Sequence, residues 1–358
     1  MKSYNVIGLM SGTSLDGLDM VYAKIYKLGE TWKFEILKTR SIDYQIQVRE
    51  KLKNTVNLSA EALLIFNNNY GEWLGKRIFS FIEEEDLKPD LIASHGHTVF
   101  HQPEKGLTYQ IGSGQAIANR TGIKTVCDFR SGDLLLGGQG APFVPIGDHH
   151  FFSEYDFCLN LGGISNFSFQ KNKQRFAYDI SPANMLLNHI IHKIGKPYDH
   201  NGEMARSGML RSSLLDKLNA LSYYKAPFPK SLGYEWFQQE VIPIIDKSKY
   251  GTEDLLHTSV HHIAEQIAAN AKMIFQDGSY RMLATGGGAK NGFLMEVLQE
   301  KLGQHTEVII PETTLIDFKE ALVFGLMGVL RLEKEINVLA SVTGGLRNSS
   351  SGVVYLPI

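Results

Sequence analysis

Three stretches of this chain gather the residue types that hold anions. The first, Gly8–Asp19 (GLMSGTSLDGLD), lies between two apolar runs, Tyr4–Met10 and Leu18–Tyr26, that read as strands. Its glycines let backbone N–H groups approach a phosphate closely, and its hydroxyls add donors. Gly12, Thr13, Ser14, Leu15, Asp16, Gly17, Leu18 and Asp19 are therefore candidate nucleotide-phosphate contacts, with Asp16 the candidate Mg²⁺ carboxylate, directly or through water. The same composition also makes an ordinary hairpin turn, and the segment alone leaves both readings open.

The second stretch, Asn160–Asn166 (NLGGISN), offers backbone amides at Gly162 and Gly163 and side-chain donors at Asn160, Ser165 and Asn166. A plain Gly-Gly hairpin is its alternative. In the third, Thr285, Gly286, Gly287 and Gly288 stand between a strand and a helix and offer a flat surface for adenine or ribose. The acidic residue of a dinucleotide fingerprint is missing, and so is the Gly-Lys-Ser/Thr of a P-loop. Glycine at such a turn also serves helix–strand packing without any ligand.

Candidate reacting groups lie between these loops and beyond the third. Asp179, in YDISPAN, follows an apolar approach and precedes Pro182, a suitable first helical residue, so it reads equally as a general base or as a helix cap. Glu320 opens the apolar run Ala321–Leu332, as an acid in a cleft or as compensation of the helix dipole. Arg130, in a loop rich in Gly and Pro, is the cation best suited to a carboxylate or a phosphoryl group. His95, His97 and His101 crowd one segment, but a zinc site would need a well-placed further ligand. Hydrogen bonding to a polar ligand, with His95 and Thr98 as donors, is the favoured reading.

The elements that position these groups alternate. Asn5–Met10, Leu18–Tyr26 and Trp32–Thr39 read as strands, Ser59–Glu84 as a helix capped by Ser59, Leu91–Ser94 and Lys124–Asp128 as strands. Phe157–Leu161 and Ile164–Gln170 repeat the opening hairpin, followed by a helix at Ser259–Gln276, a strand at Arg281–Thr285 and a helix from about Asn291. This is an α/β pattern in two halves, each opening with a Gly-rich hairpin, and it suggests an interdomain cleft. The expected domains are 1–126 with about 338–358, and 127–337. At 358 residues with 43% hydrophobic content, two cores are affordable. A net charge of −2 argues against nucleic-acid binding. No membrane-spanning run is present, and two cysteines suit a reducing, cytoplasmic setting.

Together the motifs resemble the anhydro-N-acetylmuramic acid kinases of the actin/hexokinase-like sugar kinase superfamily. The matching segments are GLMSGTSLDGLD at 8–19, SHGHTVFHQP at 94–103, DFRSGDLLLGGQGAPFVP at 128–145, NLGGISNF at 160–167, ATGGGAKN at 284–291, EALVFG at 320–325 and SVTGG at 341–345. The resemblance implies a two-domain, actin-like ATPase fold (ribonuclease H-like) with mixed sheets, and an ATP- and Mg²⁺-dependent kinase of peptidoglycan recycling. The implied reaction opens the 1,6-anhydro ring of 1,6-anhydro-N-acetylmuramic acid and yields N-acetylmuramic acid 6-phosphate. By the same resemblance, residues 12–19 and 160–166 hold ATP phosphates and 285–290 line the adenosine. Asp179 is then the base, while Glu320, Arg130, His95, Thr98 and Asn184 meet the sugar. A homodimer rests on the resemblance alone.

Two positions depart from the family pattern: ISPAN follows Asp179 where TGPGN is usual, and His97 stands where Gln is usual. Two other functions stay open at this point. One is a kinase of the same fold acting on an ordinary sugar hydroxyl, and the other a nucleotide or muropeptide sensor without turnover.

Overall fold

Consecutive apolar residues along Ser3–Ser11 and Gly17–Leu28 give each strand two buried faces, and both are covered by helices. The computed structural model describes residues 2–12, 15–228, 230–274 and 278–358. The chain divides into two compact units, residues 1–152 with 318–358, and residues 153–317.

In the first unit, Ser3–Ser11, Gly17–Leu28 and Thr31–Asp43 form an antiparallel meander. Leu91–Gln102 runs parallel to Ser3–Ser11, and Thr125–Cys127 runs parallel to Leu91–Gln102. Val353–Tyr355 closes the far edge, antiparallel to Thr125–Cys127. Leu91–Gln102 is longer than the expected Leu91–Ser94 because Leu107–Ile111 pairs with its second half. On one face Ile7, Leu9 and Ile92 pack with Leu74, Ile78 and Phe81 of the helix Ala60–Glu84, whose Ser59 cap accepts from the Ala62 N–H at 3.2 Å.

The other face carries the helix Thr313–Leu332, longer than the sequence suggested. It lies so close to the sheet that a Cβ built on Gly8 would come 2.0 Å from the Ala321 carbonyl oxygen, and one on Gly328 2.7 Å from the Ala93 methyl. Small residues at both contacts bring backbone against backbone.

The second unit repeats the strand order. Phe157–Leu161, Ile164–Lys171 and Gln174–Pro182 form the meander, Tyr280–Thr285 runs parallel to Phe157–Leu161, and Thr306–Ile309 lies parallel beyond it. Its core joins Phe157, Phe167, Phe169 and Ile180 to the helices Asn184–His192, Thr252–Ile274 and Gly292–Leu302. The α/β class and the repeated hairpin read from the sequence are both present; the expected helix end at Gln276 lies outside the described residues.

Two expectations need correction. Residues 127–152 and 318–337 belong to the first unit, not the second. Buried contacts hold them there: Asp133 accepts from the Thr343 hydroxyl at 2.8 Å, and Lys319 and Asp148, both almost fully buried, pair at 2.7 Å. Pro182 does not start a helix; it ends a strand, and the helix begins at Asn184 behind Ala183.

The strand–helix contact at Gly8 generates a prediction. Gly8→Ala drives a methyl into backbone that has no rotamer to yield, and should cost roughly 1–3 kcal/mol, read as a lowered melting temperature. An unchanged melting temperature would contradict so close an approach.

Candidate active site

The first glycine turn joins Ser3–Ser11 to Gly17–Leu28. Thr13 and Ser14 lie outside the described residues. Leu15 takes φ of 60°, unusual for a branched side chain, and its N–H reaches the Gly12 carbonyl. Leu18 points into the core, so only its backbone could meet a ligand. Asp16 is exposed, and its carbonyl accepts from the Tyr44 N–H. Asp19 accepts from the Ser41 hydroxyl at 2.7 Å, and its charge contributes to raising the Glu320 carboxyl. Among the described residues no three His, Cys, Asp or Glu side chains form a metal cluster.

Beneath this turn lies a closed polar network. The Ser11 hydroxyl oxygen sits 2.7 Å from the Tyr44 phenol, 3.2 Å from that of Tyr70 and 3.1 Å from Nδ1 of His97. All four residues are buried, and the two phenols are 2.7 Å apart. Burial pushes His97 down to about 4, so the ring is neutral near pH 7.

His95 and His97, two residues apart, would share a face of a regular strand. They do not, because Ser94 to His97 opposes only Leu9 to Ser11, a bulge centred on Gly96 at φ 72°. His97 therefore turns toward Tyr70, while His95 packs its ring on Phe324 at 4.6 Å. Nε2 of His95 accepts from Nε and Nη2 of Arg130 at 3.0 and 2.9 Å, and Nδ1 donates to the Gly96 carbonyl at 3.0 Å. Burial, then the nearby guanidinium, holds His95 well below its usual range. Both ring nitrogens are thus engaged by protein groups, and His95 holds Arg130.

Arg130 also donates to the Gly140 carbonyl and stacks over Phe143 at 5.1 Å. Its loop is fixed by the fully buried Asp133, which accepts from the Gly140 N–H at 2.7 Å and from Thr343, in the SVTGG segment. Glu320 reaches solvent, yet its dense surroundings raise its carboxyl, with Arg130 and Lys319 opposing. Thr98 accepts from Gln110 at 3.4 Å and is partly exposed. The three clustered histidines each have a separate partner, His101 bonding Thr108 at 3.2 Å.

In the second unit the two other glycine loops come together. The Asn184 amide donates to the Leu161 carbonyl at 3.0 Å, its N–H meets the Gly162 carbonyl, and Cβ atoms built on Gly287 and Gly288 would fall 3.6 and 3.1 Å from its amide. Asn184, expected at the sugar, packs against both glycine loops. Asn160 sits against Gly286, while the buried Thr285 donates to the Leu159 carbonyl at 3.2 Å. Gly163 and Gly287 are exposed, with no protein atom within 3.5 Å of the place a Cβ would take. Backbone open in this way suits an approaching phosphate or nucleoside. Asn201, which the sequence reading missed, accepts from the Gly292 N–H at 3.0 Å and fixes the helix that follows this loop. Its Asn-Gly step at 201–202 was the available signal.

Asp179 faces Asn166 across the meander. It caps no helix, since the next one begins at Asn184. Oδ2 accepts from the Leu232 N–H at 2.9 Å and from the Ser231 hydroxyl at 3.3 Å. Burial raises the carboxyl and these two bonds partly offset the rise. A carboxyl shifted up in this way is suited to accept a proton near neutral pH.

The Ser11 network predicts a pH effect. His97 titrates near 6.5 unfolded and near 4 folded, so the stability held by its neutral ring is fully present above about 6.5 and is lost as pH falls through 4. Urea melts between pH 7 and 4 should show that loss, shared with His95 and His150, which burial also depresses. His97→Gln should flatten the slope, and an identical slope would show that His97 is already free to titrate.

The sequence profile of the family described as anhydro-N-acetylmuramic acid kinase matches residues 4–357. A relative of that name from Aliivibrio fischeri is 35% identical over 388 residues, covering 99% of both chains. Another, from Sulfurimonas denitrificans, is 32% identical over 374 residues and 98% of each. Among solved structures, component A of (R)-2-hydroxyglutaryl-CoA dehydratase from Acidaminococcus fermentans is similar at TM-score 0.46 and 14% identity, over 92% of this chain and 100% of that one. Xylulose kinase from Lactobacillus acidophilus is similar at TM-score 0.46 and 10% identity, over 99% and 94%. With the family profile matching residues 4–357 and both relatives covered almost end to end, the chain belongs to the anhydro-N-acetylmuramic acid kinase family.

Proposed function

We propose that this enzyme hydrolyses the 1,6-anhydro bond of 1,6-anhydro-N-acetylmuramic acid and phosphorylates O6, using ATP and Mg²⁺ in the cytoplasm. The observation that carries the reading is Asp179: a half-buried carboxylate of raised basicity, on the strand that pairs with the second glycine hairpin. Family membership supplies the substrate class.

The substrate has no free 6-hydroxyl, so ring opening must accompany transfer. Asp179 takes a proton from water as the water oxygen bonds to C1. The C1–O6 bond breaks toward O6, and that oxygen bonds to the γ-phosphorus as the bond from the γ-phosphorus to the β,γ-bridging oxygen breaks and ADP leaves. Attack from the face opposite the leaving oxygen follows inverting glycoside hydrolysis. ATP supplies the phosphoryl group, and Mg²⁺, when bound, would neutralise charge on the phosphates. The backbones of Gly12–Asp19 and Asn160–Gly163 would hold the phosphates, Gly286–Gly288 the adenosine, and Asp16 or Asp19 the metal's water shell. Arg130, fixed by His95 and the Gly140 carbonyl, presents its charge to the sugar's carboxylate or hydroxyls. Glu320 and Thr98 supply further polar contacts to the sugar.

Turnover in ¹⁸O-water should give phosphorylated product with one label at C1. Asp179→Asn should lower kcat by about 10³-fold, the scale of a lost general base. Phosphorylation without label would mean an ordinary hydroxyl acceptor, and ATP binding without turnover a sensor. Glu320→Gln should raise KM for the sugar more than KM for ATP. An equal rise in both would remove Glu320 from the sugar contacts.

A further inference from the structure

Asp179 is held by a single segment of chain about fifty residues further on. Its N–H donates to the Lys230 carbonyl at 3.2 Å, and its carbonyl accepts from the Tyr223 phenol at 2.7 Å. Its Oδ2 accepts from Leu232 and Ser231, as described. Backbone and carboxylate are thus both tied to Tyr223, Lys230, Ser231 and Leu232. Lys230 in turn donates to the Tyr223 carbonyl at 3.2 Å and lies 4.7 Å over its ring, while Tyr223 packs on Trp236 at 5.4 Å. Leu232 and the following Phe237 are buried, anchoring the far end.

Every one of these bonds to the carboxylate falls on Oδ2, and among the described residues none reaches Oδ1. We propose that Tyr223, Ser231 and Leu232 are positioning residues for the reaction: they lock the Asp179 carboxylate plane and leave Oδ1 as the sole proton acceptor. The inference rests on the reading of Asp179 as the base and adds how that base is aimed.

A carboxylate on an untethered side chain rotates about its Cβ–Cγ bond and offers either oxygen. With Oδ2 saturated by a backbone and a hydroxyl donor, one orientation is retained, and the proton goes to the oxygen facing the substrate water. The tie also accommodates the altered residues that follow Asp179. Ile180 is fully buried and Ser181 bonds Ser165, so neither adds a donor to the carboxylate. Aim then comes from the distant segment.

The charged and titratable groups around Asp179 are few. The phenols of Tyr178, Tyr223 and Tyr224 are all raised by burial and stay neutral in the working range. Lys230 is lowered by burial but is turned onto Tyr223. The Ser231 hydroxyl and the Leu232 N–H are therefore the groups that oppose burial at Asp179.

The test compares Ser231→Ala, Ser231→Thr and Tyr223→Phe with the parent enzyme and with Asp179→Asn. Ser231→Ala removes a bond to the charged carboxylate, so the acidic limb of kcat/KM should move to higher pH; Ser231→Thr should restore it. Tyr223→Phe should lower kcat roughly 10-fold to 100-fold with KM for ATP unchanged. ¹³C NMR titration of the Asp179 carboxyl in the free enzyme reads the Ser231 effect without turnover. An acidic limb and a ¹³C titration both unmoved in Ser231→Ala, with Asp179→Asn inactive, would overturn the positioning role while leaving the base intact. Full activity in Asp179→Asn would instead overturn the base itself.

Discussion

The contact of the strand Ser3–Ser11 with the helix Thr313–Leu332 sets much of the first unit. The helix can reach the sheet only because no side chain intervenes at Gly8, and the Ala321 carbonyl occupies that space. The close approach fixes the residue before it, Glu320, against the sheet that carries the first glycine turn. It also places Phe324 beneath His95, and through His95 it steadies Arg130. A few missing methyl groups thus determine where an acid and a guanidinium stand, and packing rather than polar chemistry supplies the tolerance.

Electrostatics then works on groups that packing has already placed. Desolvation keeps His95 and His97 uncharged, so each can act as a hydrogen-bond acceptor at a defined nitrogen. Desolvation also raises Asp179 and Glu320, the two acids proposed for the site. The same physical cause makes the histidines scaffold and the carboxyls more basic. What separates the roles is access: both ring nitrogens of His95 and Nδ1 of His97 are engaged internally, whereas among the described residues no hydrogen bond reaches Oδ1 of Asp179.

Much of this was legible in the sequence because it is local. A glycine hairpin between two apolar runs declares itself within a dozen residues, and it does so twice, at Gly12–Asp16 and at Gly162–Gly163. Asp179 could be nominated but not assigned, since a cap and a base look alike until the start of the next helix is known. The hidden part is long-range. Nothing near Asp179 in the sequence names Tyr223 or Ser231, and nothing near Arg130 names His95. Asn184 and Thr285 carried the right chemistry for ligand contacts, but their side chains bind the Leu161 and Leu159 carbonyls. The extra residue at Gly96 was equally invisible, because a bulge is a property of the neighbouring strand's register as much as of its own sequence.

That bulge separates two evolutionary problems. Without it, residues 95 and 97 would share one face, and any change at 97 would be felt by the guanidinium. Turned to the opposite face, position 97 answers to Ser11 and, through its hydroxyl, to Tyr44 and Tyr70. The strand therefore behaves as an insulator between two neighbourhoods, and side chains under the first glycine turn can be exchanged without re-tuning the arginine. A histidine at a position where the family resemblance leads one to expect an amide is the kind of change such a partition permits.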